Sequence, residues 1–300
     1  MIYTNNSFNA LLDLFAEFRE LLKPALINGV PDFTRAAMAK QHEELKRLQE
    51  RLVALDISRW SIADRVDYHV VRAEMNAVDF DHRVLKPWAR DPGFYNLTDG
   101  IYPRLLVHHS RSLSTWGLIE PDQALDEESA VDFHNRLKCI PKLLAQAREN
   151  LTEASGELAS IAIRIKEKDI QLLLKIRSEM AEHHVELIPS VDEAIVATEQ
   201  YRDWLVENRG RMTAPAGIGK ENYNWWMKNV HLIPYDWDQF HTMIQAEYNR
   251  TVTFLKLEEN RNRRLPEFEL TSDAEENHRR QQEAVSKLML FLQEEEIITV

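Results

Sequence analysis

Residues 213–237, TAPAGIGKENYNWWMKNVHLIPYDW, decide how the rest of the chain is read. They hold two of the eight glycines, two prolines, three of the seven tryptophans and two tyrosines, whereas the flanking sequence is glycine-poor and patterned as long helices. Tyr223, Trp226, Met227 and Val230 fall at i, i+3, i+4 and i+7, which predicts a short amphipathic helix with Trp225 off its stripe. Asp236, with Gln239 three positions on, predicts the cap of a further helix whose face carries Trp237, Phe240, Ile244, Tyr248, Val252 and Leu255. Gly217-Ile-Gly219 follows Ala214-Pro215 rather than a strand and lacks a third glycine, which excludes a dinucleotide-binding turn. A helix start after Gly219 could hold a carboxylate, and a plain tight turn explains the same residues.

Working outward, Phe8, Leu11, Leu12, Phe15, Phe18 and Leu22 predict a first helix ended by Lys23-Pro24. A charged, peripheral second helix is expected from about Asp32 to Leu55, with Leu45, Leu48, Leu52 and Leu55 as its narrow inner stripe. Ser61 and Asp64 predict the cap of a helix over 62–88. Its apolar set, from Ile62 and Val66 to Phe80 and Val84 with Val71, Met75, Val78 and Leu85 beside it, is wide enough for a central position. A long irregular stretch follows near 87–104, and another near 210–222. Further helices are expected over 122–151, with Pro141 as a kink or junction, over 157–184, from a cap at Ser190 to Trp204, and over 273–296. The fold class is therefore all-α, a multi-helix bundle with two long loops, treated as one region over 1–300.

Eight glycines in 300 residues are too few for hairpin-rich or phosphate-loop folds. A net charge of −12 argues against nucleic acid and anionic membranes as partners, and RNRR at 261–264 reads as a solvated helix face. The single cysteine, Cys139, excludes an internal disulfide and a cysteine-cluster zinc site, and its apolar context predicts an inert thiol. No apolar run approaches the roughly 20 residues of a membrane helix. The first residues lack a basic start and a cleavage site, so a cytoplasmic location is expected. The last eight residues, QEEEIITV, stop on an apolar tetrapeptide, which predicts a chain cut where more should follow.

A zinc-hydrolase helix needs His-Glu-x-x-His; only His42 is followed by glutamate, and position 46 is lysine. His108-His109 and His183-His184 are adjacent pairs that point apart on a helix. Asp79-Phe-Asp-His82 and Asp238-Gln-Phe-His241 share the D-x-x-H spacing of a carboxylate dimetal bundle, with the shorter Asp in place of Glu. No nucleophile arrangement is legible.

Three stretches in order, RVDYHVVRAEMNAVDFDHRVLKPWARDPGFY (65–95), RLKCIPKLLAQARENL (136–151) and GIGKENYNWWMKNVHLIPYDWDQF (217–240), make the chain resemble the N-terminal part of the bacterial "domain of unknown function 885" proteins. The likeness runs from about residue 8 to 296. It implies a larger, zincin-like helical fold whose zinc helix lies in a C-terminal half, so no catalytic residue, metal ligand or cofactor is expected in this chain. It also implies a scaffold and one wall of a cleft for a peptide or small-molecule substrate, inactive by itself, with Gly217, Gly219 and Tyr223 matching the family pattern as wall residues. The alternatives are a non-catalytic helical interaction module and, third, the dimetal bundle. Self-association of this chain, expressed alone, is expected through the face left exposed by the missing half.

Overall fold

A computed structural model describes residues 7–96, 127–266 and 271–297. The all-α expectation holds, with one small hairpin among the described residues. The chain divides into two compact units between Phe240 and His241.

In the first unit, α1 (Phe8–Leu21), α2 (Arg35–Val53) and α3 (Ile62–Phe80) turn most of their predicted stripes inward, although Leu12 of α1 stays exposed and the unpredicted Leu14 is buried. Leu14 and Phe18, Leu45 and Leu52, and Val71 and Met75 meet in one core. Asp32 does not open α2; its carboxylate accepts from the Thr34 N–H at 2.9 Å, and the helix starts after Thr34. Ser61 caps α3 as expected, accepting from the Asp64 N–H at 3.1 Å. The wide apolar face of α3 packs only from Tyr68 onward, because Ile62 and Val66 remain 81% and 54% exposed.

A second core joins α5 (Glu127–Asn150), α6 (Gly156–His183) and α7 (Ile188–Asn208). Helix α5 continues through Pro141. The cap expected at Ser190 does not form. Helix α7 starts at Ile188 with Pro189 in its first turn, where a missing N–H costs nothing, and the Ser190 hydroxyl meets His134 Nδ1 of α5 at 3.1 Å. A hairpin that the composition argued against, β1 (Leu26–Ile27) and β2 (Val30–Pro31), turns on Asn28 and Gly29 at φ 52° and 81°. The Cys139 thiol donates to the Gly29 carbonyl at 3.1 Å, and burial raises its pKa, which agrees with an inert thiol.

Helix α2 crosses from one core to the other. Met38 belongs to the α5–α7 core, and Leu45, Leu48 and Leu52 belong to the α1–α3 core. His42 lies at the changeover.

Helix α9 (Trp237–Asn262) opens with the expected reciprocal cap: the Asp236 N–H donates to Gln239 Oε1 at 3.0 Å, and the Gln239 N–H to Asp236 Oδ1 at 2.9 Å. In the second unit, α9 continues and α10 (Ala274–Glu294) follows its cap Asp273. Neither helix buries a side chain among the described residues. No described helix is long and apolar enough to cross a membrane.

Candidate functional site

The short helix predicted from the aromatic stretch forms as α8 (Lys220–Asn229), introduced by Gly219 at φ 79°, a conformation that favours glycine. It docks on α3 through Trp225, the residue that the stripe left out. Trp225 stacks on Phe80 at 5.5 Å and 8°, the Arg83 guanidinium covers the indole at 4.8 Å, and the Asn76 amide donates to the Asn229 carbonyl at 3.1 Å. Gly217, Gly219 and Tyr223 lie on this arm, and none of the three lines the cleft described next.

After Phe80 the helix changes hand-hold. Residues Asp81–Leu85 form a π turn, closed by the Lys86 N–H donating to the Asp81 carbonyl at 2.6 Å. Such turns are frequent at functional sites. Lys86 then sits at φ 41°, ψ 56°, a left-handed conformation for a non-glycine residue before proline. Pro87 opens the four-residue α4 (Pro87–Arg90), so the region expected to be irregular begins as helical turns; residues 97–104 lie outside the described residues.

Surrounding bonds hold this strained junction in place. Lys86 Nζ reaches Glu153 at 2.8 Å, and the Glu153 N–H donates to the Ala89 carbonyl at 3.1 Å. Arg90 donates to the carbonyls of Val84 at 2.8 Å and Pro215 at 2.5 Å. The Tyr95 hydroxyl donates to the Trp88 carbonyl at 2.7 Å; burial raises its pKa, so it remains a donor. Beneath it, the fully buried Lys166 ammonium bonds the Tyr95 carbonyl at 2.6 Å and Asp169 at 2.7 Å.

At this junction, where α2 changes cores, a cleft of about 470 Å³ opens. Arg35, Met38, Ala39 and His42 line it from one face of α2. His82, Lys86, Trp88 and Ala89 line it from the π turn and α4, and Glu149, Asn150, Thr152 and Glu153 from the end of α5 and beyond. Two imidazoles stack in it, His42 on His82, at 4.8 Å and 6°.

Their tautomers follow from their partners. Asp79 Oδ1 lies 2.9 Å from His42 Nε2 and can only accept, while Asp79 Oδ2 takes Arg83 Nε at 2.6 Å. The Gln41 amide donates to the Leu21 carbonyl at 2.9 Å, so its oxygen faces His82 Nε2 at 3.1 Å. Both rings therefore carry hydrogen on Nε2. Burial, then the neighbouring His42, lowers the His82 pKa to about 4, with Asp79 opposing. A relay of contacts links the aromatic arm to the cleft: Trp225, Arg83, Asp79, His42, His82.

These contacts occupy the side chains weighed for a dimetal site. Asp79 binds His42 and Arg83, His82 meets Gln41, and Asp238 takes Lys220 at 2.6 Å. Zinc, the metal that the resemblance implies, does not fit these residues either. Among the described residues no three His, Cys, Asp or Glu side chains gather as a ligand set. The pair His108-His109 lies outside the described residues.

Fold and cleft together define a helical scaffold with a polar-lipped pocket at the seam of two cores. The family described as "Bacterial protein of unknown function (DUF885)" matches residues 27–258, and the chain belongs to it. No curated protein matches. A solved structure from Shewanella oneidensis, of a candidate lipoprotein of unknown function, is similar at a TM-score of 0.65 and 16% identity, a likeness of fold alone. It is matched over 98% of this chain, which spans 58% of that chain's length.

Proposed function

We propose that this chain supplies the scaffold and one wall of the substrate cleft of a peptidase-like hydrolase, and that the bond-breaking group lies outside these residues. The carrying observation is the cleft at the π turn, which combines oriented imidazoles, charged lips and a strained, over-determined backbone. Support comes from the resemblance that suggested a peptidase and from the longer relative that shares the fold. The peptide or small molecule would lie along α2 and α4, with the arm bearing Gly217, Gly219 and Tyr223 as a further part of the wall. The test is incubation of the 300-residue chain, with and without added zinc, with a pool of short peptides, read by mass spectrometry. Retention of peptides without cleavage above a zinc-only control is expected. Cleavage at one metal per chain would overturn the assignment.

The second reading, a non-catalytic interaction module, is favoured by the uncovered faces of α9 and α10. Ile244, Tyr248, Leu255, Val285, Leu288 and Phe291 are all more than half exposed. Light scattering tests it: concentration-dependent association is expected, and a monomer at all concentrations would speak against it.

A further inference from the structure

We propose that the cleft at the π turn binds a zwitterion of amino-acid or dipeptide size, with its carboxylate at Arg35 and its ammonium at Glu149. The proposal rests on the cleft being substrate-facing, as read above, and adds the chemical class of ligand.

The charge pattern argues for it first. Four formal charges line the cleft, Arg35 and Lys86 against Glu149 and Glu153, so the lining is balanced. Phosphorylated ligands would meet two carboxylates, and polycations two cations. One pair is already satisfied internally, Lys86 with Glu153 at 2.8 Å. Arg35 and Glu149 are exposed, and neither takes part in an ion pair or side-chain hydrogen bond among the described residues. A ligand that satisfies one unpaired cation and one unpaired anion carries both signs itself.

The backbone supports the same polarity. The start of α2 is clamped to the end of α5: the Phe33 N–H donates to Gln146 Oε1 at 2.9 Å, and the Asn150 amide to the Phe33 carbonyl at 3.0 Å. Arg35 stands in the first turn of α2, at the positive end of its dipole, and Glu149 in the last turn of α5, at the negative end of that helix. Each helix terminus thus adds to the sign of the side chain it carries.

The same lining includes Met38, Ala39, Trp88 and Ala89, apolar surface for a small side chain. The stacked rings of His42 and His82 add flat imidazole surface to the lining, with both Nε2 atoms committed to Asp79 and Gln41. A volume of about 470 Å³ admits a ligand of this size.

The experiment is isothermal titration of the whole chain with alanyl-leucine, with its N-acetyl form and with its C-terminal amide. Binding of the zwitterion is expected, weakened about tenfold or more by either blocking group, as befits loss of one charge-assisted bond. Arg35→Gln should weaken the zwitterion about tenfold while leaving the amide unaffected, and Glu149→Gln should do so while leaving the N-acetyl form unaffected. Both positions are exposed, and unchanged thermal melting will verify that each variant folds. Equal binding of all three peptides would overturn the zwitterion and leave the cleft reading standing. No binding of any peptide would end both.

Discussion

Helices α6 and α9 have similar length and opposite fates. Over 28 residues α6 buries nine side chains, including Leu173, Ile176 and the charged pair Lys166 and Asp169; over 26 residues α9 buries none among the described residues. Both carry apolar positions at helical spacing. The comparison teaches that periodicity specifies a helix and its inward face, whereas burial depends on whether another element arrives to cover that face.

The largest effect that could break the contrast lies in α6. Asp169→Ala leaves the buried Lys166 ammonium with the Tyr95 carbonyl and the face of the Tyr201 ring but no counter-charge, and is expected to cost about 3–5 kcal/mol in urea unfolding. A loss below about 1 kcal/mol would mean that the pair is open to water. Next, Leu173→Ala should cost about 2–5 kcal/mol and Leu255→Ala in α9 no more than about 0.5 kcal/mol. Equal costs would show that α9 is packed after all.

The cleft responds to pH. His82 ionises near 4 in the fold and near 6.5 when unfolded, so the unfolded chain binds more protons between these values. The contribution is fully present above pH 6.5 and falls away as pH drops towards 4, by up to about 3 kcal/mol. His82→Phe should flatten that part of the stability profile, and an unchanged slope would assign it to other groups. The smallest effect concerns the start of α9, where Asp236→Ala should cost about 1 kcal/mol of local helix stability, seen as faster amide exchange at Gln239. Unchanged exchange would deny the cap a stabilising role.

Most of the architecture was legible because it rests on local rules. The stripes of α1 and α2, the caps at Ser61 and Asp236, and the short α8 all follow from spacing and a few polar side chains. The hairpin was also readable: Asn28-Gly29 is a strong local turn signal, outweighed by an argument from total glycine content that says nothing about one site. Ser190 misled because Pro189 starts α7 earlier and frees the serine for His134. The cleft was hidden for a different reason. His42 and Asp79 were each weighed as metal ligands, but their partnership spans 37 positions and depends on α2 lying beside α3. The π turn leaves no compositional mark beyond Lys86-Pro87, and Trp225 looked misplaced because its partners, Phe80 and Arg83, lie on another helix.

The central claim is that the ligand-binding centre of this chain lies where His42 stacks on His82. It is tested most directly by following the imidazole Hε1 resonances, assigned by single substitution, while alanyl-leucine is added. The account predicts saturable shifts concentrated on His42 and His82, with the remaining nine of the eleven histidines unmoved. Shifts confined to His231 or His241, or none at any histidine at saturating peptide, would contradict it.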